Sequence, residues 1–356
     1  MRLGIFGGGY GLDAHLPAFR SVGVDVVAIC DSGSGRIQGR LAEKQLYVPS
    51  WRSLLDMDID AVSVATPPAL QEEILCSALA RGKHVFCEKP FGATLAQAQE
   101  MARAAANAAH CTVAVNFQYR YERGLALLKS EVDAGTLGAI QFIDVSWLTS
   151  GRASRQSVWT WRNDVGDGGG VVGAFFSHAA DLVCWISNSA PRLVFANTKI
   201  LIPSRRDNAD QVRPVTAEDA LTAQIAMENE TIATCRISNC QIGGEGMRVE
   251  VRGEKGTLIY RHAPPFAPED QTLELRTAEG KKMLALPEAQ QDGSIGSDSR
   301  VYALTRCMVD FLASAAGGNP SAALPSWRDG LRMQRMMDAV LASAHSGVSI
   351  ALTQDV

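Results

Sequence analysis

The chain has 356 residues, 20% of them charged and 46% hydrophobic, with a formal net charge of -4. That length exceeds one ordinary core and points to two domains, while the near-neutral balance gives no electrostatic draw toward nucleic acid or an anionic membrane. The opening MRLGIFGGGYG loses its apolar run to glycines and no apolar stretch of about 18 residues follows, so a cytoplasmic protein is expected rather than an exported or membrane-spanning one.

Short β-rich runs at Arg2 to Phe6, Asp25 to Cys30, Ala61 to Ala65, His84 to Cys87 and Thr112 to Val115 alternate with helical patterns. The helical patterns are Ala14 to Ser21, Arg36 to Lys44, Ala69 to Ala80 and Leu95 to Ala108. Such βα alternation predicts a doubly wound parallel sheet, an α/β domain over residues 1–118. From 119 to 356 the texture becomes α+β. A helix from Glu122 to Ala134 and a strand from Ile140 to Leu148 precede an apolar helical segment, Val171 to Ile186. Alternating runs at Arg192 to Ile202, Leu221 to Met227, Thr231 to Asn239, Met247 to Arg252 and Gly256 to Arg261 then predict a large, mostly antiparallel open sheet. Residues 285–299 read as a loop. The closing helices, Val301 to Ala315 and Ser326 to His345, are free to pack back on the N-terminal domain. Eight cysteines lie in apolar segments with no C-x-x-C pair and no zinc-like His/Cys spacing, so buried thiols are expected and no metal site.

Gly7, Gly8, Gly9, Tyr10 and Gly11 join the first strand to the first helix, the context in which glycines allow a tight turn and let backbone N–H groups approach a pyrophosphate. Asp31, with Ser32 beside it, closes the second strand 20 residues later, where a carboxylate accepts hydrogen bonds from an adenosine ribose. These features predict a dinucleotide, NAD in preference to NADP, because Asp31 would repel a 2′-phosphate that Arg36 alone would attract. Thr66 and Pro67 form a second loop at the ligand edge of the sheet, and Gln118, after the last strand of this half, is placed to donate to the cofactor.

Lys89 sits between Glu88 and Pro90 at the exit of the fourth strand, and strand exits are where open α/β sheets collect ligands. Its charge suits stabilisation of a developing alkoxide. His178 follows Gly168, Gly169 and Gly170 in an apolar helical segment; the residues alone leave both a satisfied core histidine and a proton carrier open. Asp181, three residues on, shares its helix face and is read either as an orienting carboxylate or as a structural one. Arg120, within Tyr119 to Tyr121, and Trp161 with Arg162 are candidate substrate contacts, against the alternatives of hinge and loop packing.

The segments GIFGGGYGLDAHLPAF, VVAICD, AVSVATPPALQEEI, GKHVFCEKPFGATLAQA and GGGVVGAFFSHAADLVCWI together resemble the Gfo/Idh/MocA oxidoreductase family, and weaker matches extend to residue 352. The resemblance implies an N-terminal Rossmann domain and a C-terminal domain whose free sheet face makes a homodimer or homotetramer. It also implies that Lys89 contacts the nicotinamide ribose and the substrate hydroxyl, that Glu88 fixes the loop, and that His178 is the acid/base group. Two positions depart from the family pattern: Ala174 stands where an aspartate is common, and Gln71 where a histidine is common. The expected activity is NAD(P)-dependent hydride transfer at a secondary hydroxyl or ketone of a small sugar, inositol or polyol. The alternatives are a redox-neutral NAD-dependent glycosidase or lyase and a non-catalytic cofactor-binding regulator.

Overall fold

A computed structural model describes residues 1–31, 37–41, 46–288 and 299–353. The chain divides into two compact units, Met1–Tyr121 with Gln290–Gln334, and Glu122–Ala289 with Arg335–Val356.

In the first unit, β1 (Arg2–Phe6), β2 (Asp25–Cys30), β3 (Ala61–Val64), β4 (His84–Cys87) and β5 (Val113–Val115) form a parallel sheet in the order β2-β1-β3-β4-β5. The reversal of direction between β1 and β3 is a topological switch point, which brings the loops after those strands together at the carboxyl edge. The helices α1 (Leu16–Ser21), α2 (Trp51–Leu55), α3 (Gln71–Leu79) and α4 (Leu95–Asn107) are the connections. The strands are buried on both faces and, Ser63 in β3 apart, read as apolar runs, which is why they are so visible in the sequence. The short helix α2 has no counterpart among the expected elements. Of the helix expected from Arg36 to Lys44, Arg36 and residues 42–44 lie outside the described residues, while residues 37–40 form a turn and not a helix.

The same unit takes α7 (Ser299–Ala315) and the start of α8 (Trp327–Ser346) from the far end of the chain. Leu304, Cys307, Met308 and Phe311 of α7 join Leu3, Ile5, Phe19 and Phe86 in one buried cluster, with the Phe86 and Phe311 rings 5.5 Å apart. Just before α8, Pro325 accepts from Val115 N at 2.9 Å and Ser326 bridges to Ala114, so this segment covers the outer edge of β5.

In the second unit, α5 (Arg123–Asp133) precedes β6 (Ile140–Leu148), and α6 (Ser177–Ser187) precedes β7 (Pro191–Lys199). A two-stranded hairpin, β8 (Ser204–Arg206) with β9 (Val212–Pro214), leads to β10 (Ala220–Met227), β11 (Ile232–Ser238), β12 (Gly246–Gly253), β13 (Gly256–His262), β14 (Gln271–Thr277) and β15 (Gly280–Met283). With β16 (Ile350–Ala351), these build a nine-stranded sheet ordered β15-β14-β13-β12-β6-β11-β10-β7-β16. Its pairs are antiparallel except β6 with β11. One face is apolar through Ile143, Val145 and Trp147 of β6 and carries α6. On the other, Arg252 pairs with Asp144 and Glu250, Arg248 with Glu250, and Glu274 with Arg276 at 2.8 Å and Arg261 at 3.5 Å. The expected strands stop at Arg261, whereas β14 and β15 continue the sheet beyond it. All eight cysteines are free thiols; five are buried, but Cys76 within α3, and Cys111 and Cys240 in connecting segments, are only partly so. Among the described residues no helix is long and apolar enough to cross a membrane.

Phe311 provides a test of the returning helix: Phe311→Ala removes a fully buried ring and should cost about 3–5 kcal/mol in chemical denaturation. A loss under about 1 kcal/mol would show that α7 does not complete this core.

Candidate active site

Gly7 accepts a backbone geometry closed to other residues. Its φ is +128°, a Cβ there would lie 2.2 Å from Ala65 O, and its N–H donates to Cys30 O at 2.8 Å. The turn is thus tied to the ends of both β2 and β3. At Gly9, by contrast, a Cβ would meet nothing within 4 Å, leaving its side of the turn clear for close approach of a ligand. Leu12 and Asp13 donate to Gly9 O, each at 3.0 Å, and the helix opens with one wide π turn over Gly11–His15. Tyr10 is 37% exposed, and its hydroxyl donates to Gln118 Oε1 at 3.4 Å. Asp31 sits half-buried just past β2, receiving the Tyr47 hydroxyl at 3.5 Å. Thr66 Oγ1 is buried without a hydrogen-bond partner in the loop after β3, and Pro67 beside it is exposed. Ser32 and Arg36 lie outside the described residues.

The most closely specified group on this edge is Glu88. Its carboxylate accepts from Asn116 Nδ2 at 2.5 Å and stands 3.0 Å from His15 Nε2; the other imidazole nitrogen is 2.6 Å from Ser63 Oγ. His15 and Ser63 are fully buried and Asn116 nearly so, and a buried carboxylate requires such donors. Gln71, also fully buried, donates to Glu88 O at 2.9 Å and accepts from Gly92 N at 2.8 Å. Lys89 lies between these two fixed points, half-buried, with a cis peptide to Pro90. Gln118 is 5% exposed and lies past β5 in a short 3-10 turn; its Oε1 accepts from Asn116 Nδ2 at 2.9 Å.

Arg120, a candidate substrate contact in the sequence, has an ion-pair partner in the structure. It is 4% exposed and its guanidinium meets Asp329 at 3.1 Å. Burial alone would raise the Asp329 pKa, but Arg120 and two hydrogen bonds from Ser326 hold it below the usual carboxylate range. The pair anchors the start of α8 within the first unit.

In the second unit, Trp161 is 42% exposed and Arg162 stacks on its ring at 5.1 Å. Gly170 N donates to Arg162 O at 3.1 Å, linking that loop to the helix that follows. Gly170 has φ +102°, and a Cβ there would lie 2.1 Å from a carboxylate oxygen of Glu218. Glu218 in turn accepts from Val172 N at 2.8 Å, capping a second wide π turn, Val172–Phe176; burial pushes its pKa up. His178 follows on α6, 5% exposed and 6.3 Å from the Trp147 ring, with Asp181 at 1% exposure one turn further. Ala174, where a carboxylate was noted as absent, is exposed.

The structure therefore gathers Gly7 to Gly11, Asp31, Thr66, Glu88, Lys89 and Gln118 at one sheet edge, and Trp161, Arg162 and His178 around the entry to α6. Sequence reasoning missed His15, Ser63, Asn116 and Glu218, and treated Gln71 only as a departure. Two of these carried a signal: Ser63 is the one polar residue in the run Ala61 to Ala65, and Asn116 stands one residue beyond β5. Among the described residues no group of three or more His, Cys, Asp or Glu could hold a metal ion.

Residues 1–117 match the model of a family described as "Oxidoreductase family, NAD-binding Rossmann fold", and residues 125–259 match the "GFO/IDH/MocA C-terminal domain". The chain belongs to the Gfo/Idh/MocA oxidoreductase family. Its relatives in that family include levoglucosan dehydrogenase of Pseudarthrobacter phenanthrenivorans, 24% identical over 97% of this chain and 96% of that one. Inositol 2-dehydrogenase of Salmonella typhimurium is 25% identical over 72% of each. An oxidoreductase domain protein from Kribbella flavida superimposes with a TM-score of 0.87 at 26% identity, covering 99% of both chains. The Gfo/Idh/MocA cofactor, NAD, fits the edge described: a glycine turn cleared at Gly9, a carboxylate at the end of β2, and the unpartnered buried hydroxyl of Thr66.

Two predictions follow from this geometry. Gly9→Ala should leave the melting temperature within roughly 2 °C yet raise the Kd for NADH, read by fluorescence, about tenfold or more; Gly7→Ala should cost more than about 2 kcal/mol of stability itself. Equal behaviour of the two would contradict the division between a structural and a ligand-facing glycine. For the ion pair, Asp329 has a depressed folded pKa, so its stabilisation is present above the ordinary carboxylate value of 3.8 and is lost as pH falls through the folded value. Asp329→Asn should therefore cost about 3 kcal/mol at pH 7, with the gap to wild type closing as denaturation is repeated below pH 3.8.

Proposed function

We propose that this oxidoreductase uses NAD to oxidise a secondary hydroxyl of a sugar, inositol or related small polyol, or to reduce the corresponding ketone. The observation that carries the reading is the fixing of Lys89: both flanking backbone segments are tied by buried hydrogen bonds, at the sheet edge where this fold collects its ligands. The names of its levoglucosan and inositol dehydrogenase relatives support the same substrate class. Bound NAD supplies the hydride acceptor. Lys89 places a positive charge at the substrate oxygen and stabilises it as its proton leaves. His178 takes that proton, and Trp161 with Arg162 offers a flat face and a cation to a ring bearing hydroxyls. Because Ala174 contributes no carboxylate, Lys89 carries a larger share of the oxygen activation. A homodimer or homotetramer belongs to the same reading, since it would cover the exposed, cross-strand neighbours Phe142 and Ile232.

The test is a panel of sugars, polyols and keto-sugars incubated with NAD or NADP, following reduced cofactor. One panel member should yield NADH, and Lys89→Met and His178→Ala should each lower its kcat about a hundredfold or more. Turnover with no net NADH would favour the redox-neutral alternative, and activity within a few fold of wild type in both variants would overturn the roles assigned.

A further inference from the structure

We infer that Gln71 is a positioning residue for Lys89. The inference rests on Lys89 acting as proposed above. Gln71 is the first residue of α3 and is fully buried, yet both ends of its carboxamide are engaged. A backbone N–H can only donate and a backbone carbonyl can only accept, so the partners themselves fix the amide: Oε1 toward Gly92 N at 2.8 Å, Nε2 toward Glu88 O at 2.9 Å. The chain between those points is Lys89, Pro90 and Phe91. Gln71 thus closes a ring around the lysine's own backbone.

Each end of that ring is independently constrained. Glu88 N donates to Val64 O at 2.8 Å, and the Glu88 carboxylate is held by Asn116 and His15. At the other end Gly92 has φ +83°, and a Cβ there would come within 3.2 Å of Ala98 N, so the loop turns back against α4. Phe91 is fully buried, and a Cβ at Gly330 would press on its ring at 2.8 Å, which leaves that side chain little room to shift. The remaining freedom of the loop lies in how far Glu88 O and Gly92 N stand apart, and the Gln71 amide spans that gap. A neutral side chain with one donor and one acceptor meets the need. Leucine supplies neither, and the glutamate anion keeps the acceptor but cannot donate to Glu88 O. A neutral imidazole offers one of each.

The experiment uses the full chain with NADH and the variants Gln71→Leu, Gln71→Glu and Gln71→His. Lys89 is trace-acetylated with acetic anhydride and measured by peptide mass spectrometry against Lys281, which is exposed on β15. Gln71→Leu and Gln71→Glu should change the Lys89 to Lys281 labelling ratio about threefold or more, and Gln71→His should stay within about twofold of wild type. With the panel substrate that yields NADH, kcat should fall about tenfold or more in the first two variants while the Kd for NADH stays within about threefold. Unchanged Lys89 labelling in Gln71→Glu, or a histidine variant as impaired as the leucine one, overturns the inference. If Gln71→Leu does not fold, the glutamate and histidine variants decide by the same measures. Failure here is separable from failure of the proposed function: a dead Lys89→Met beside unchanged labelling removes only the role of Gln71, whereas an active Lys89→Met removes the catalytic reading whatever the labelling shows.

Discussion

A carboxylate turned inward at the end of a parallel strand must be given donors, and the Glu88 side chain draws them from two separate parts of the first unit. His15 comes from the turn after β1, backed by Ser63 in β3, and Asn116 comes from the exit of β5. Leaving such a group unsatisfied would cost energy, so these elements are held in mutual register by one partly buried carboxylate. The glycine turn and the lysine loop consequently share a single network, through Tyr10, Gln118, Asn116 and Glu88. Cofactor turn and reactive loop are mechanically one object.

The second unit solves a similar problem with backbone amides. The entry to α6 would leave N–H groups without partners, and Glu218 from the segment before β10 supplies the acceptor. Gly170 is required there because the carboxylate already fills the volume of a side chain. In both units, the helix that approaches a candidate site residue begins with a π turn, a wider and weaker conformation that recurs at functional sites.

Much of the first unit was legible. Asp25 to Cys30 and His84 to Cys87 appear in the structure with the limits read from the sequence, because strands buried on both faces are apolar runs with polar ends. β14 was missed although Leu273 and Leu275 alternate with Thr272, Glu274 and Arg276; the Glu274 partner Arg261 lies on the neighbouring strand, a pairing that no local pattern encodes. The site divides in the same way. Glycines, Asp31 and Lys89 announce themselves by local spacing, whereas His15 finds Ser63 at a separation of 48 residues and Glu88 at 73, and no local pattern encodes that. Arg120 is a similar case: its partner Asp329 is more than two hundred residues away, so no local pattern shows the ion pair.

The contribution of α7 and the α8 start to the first unit has a consequence for synthesis. All five parallel strands have been made by residue 115, but Leu304, Met308 and Phe311, which join Phe19 and Phe86 in one cluster, are made almost two hundred residues later. At ordinary elongation rates that interval is on the order of ten to forty seconds. During it the nascent domain shows an uncovered apolar face and an unpaired β5 edge, the two features that chaperones bind and that aggregation exploits. The first unit to be translated is therefore finished only after most of the second has been made.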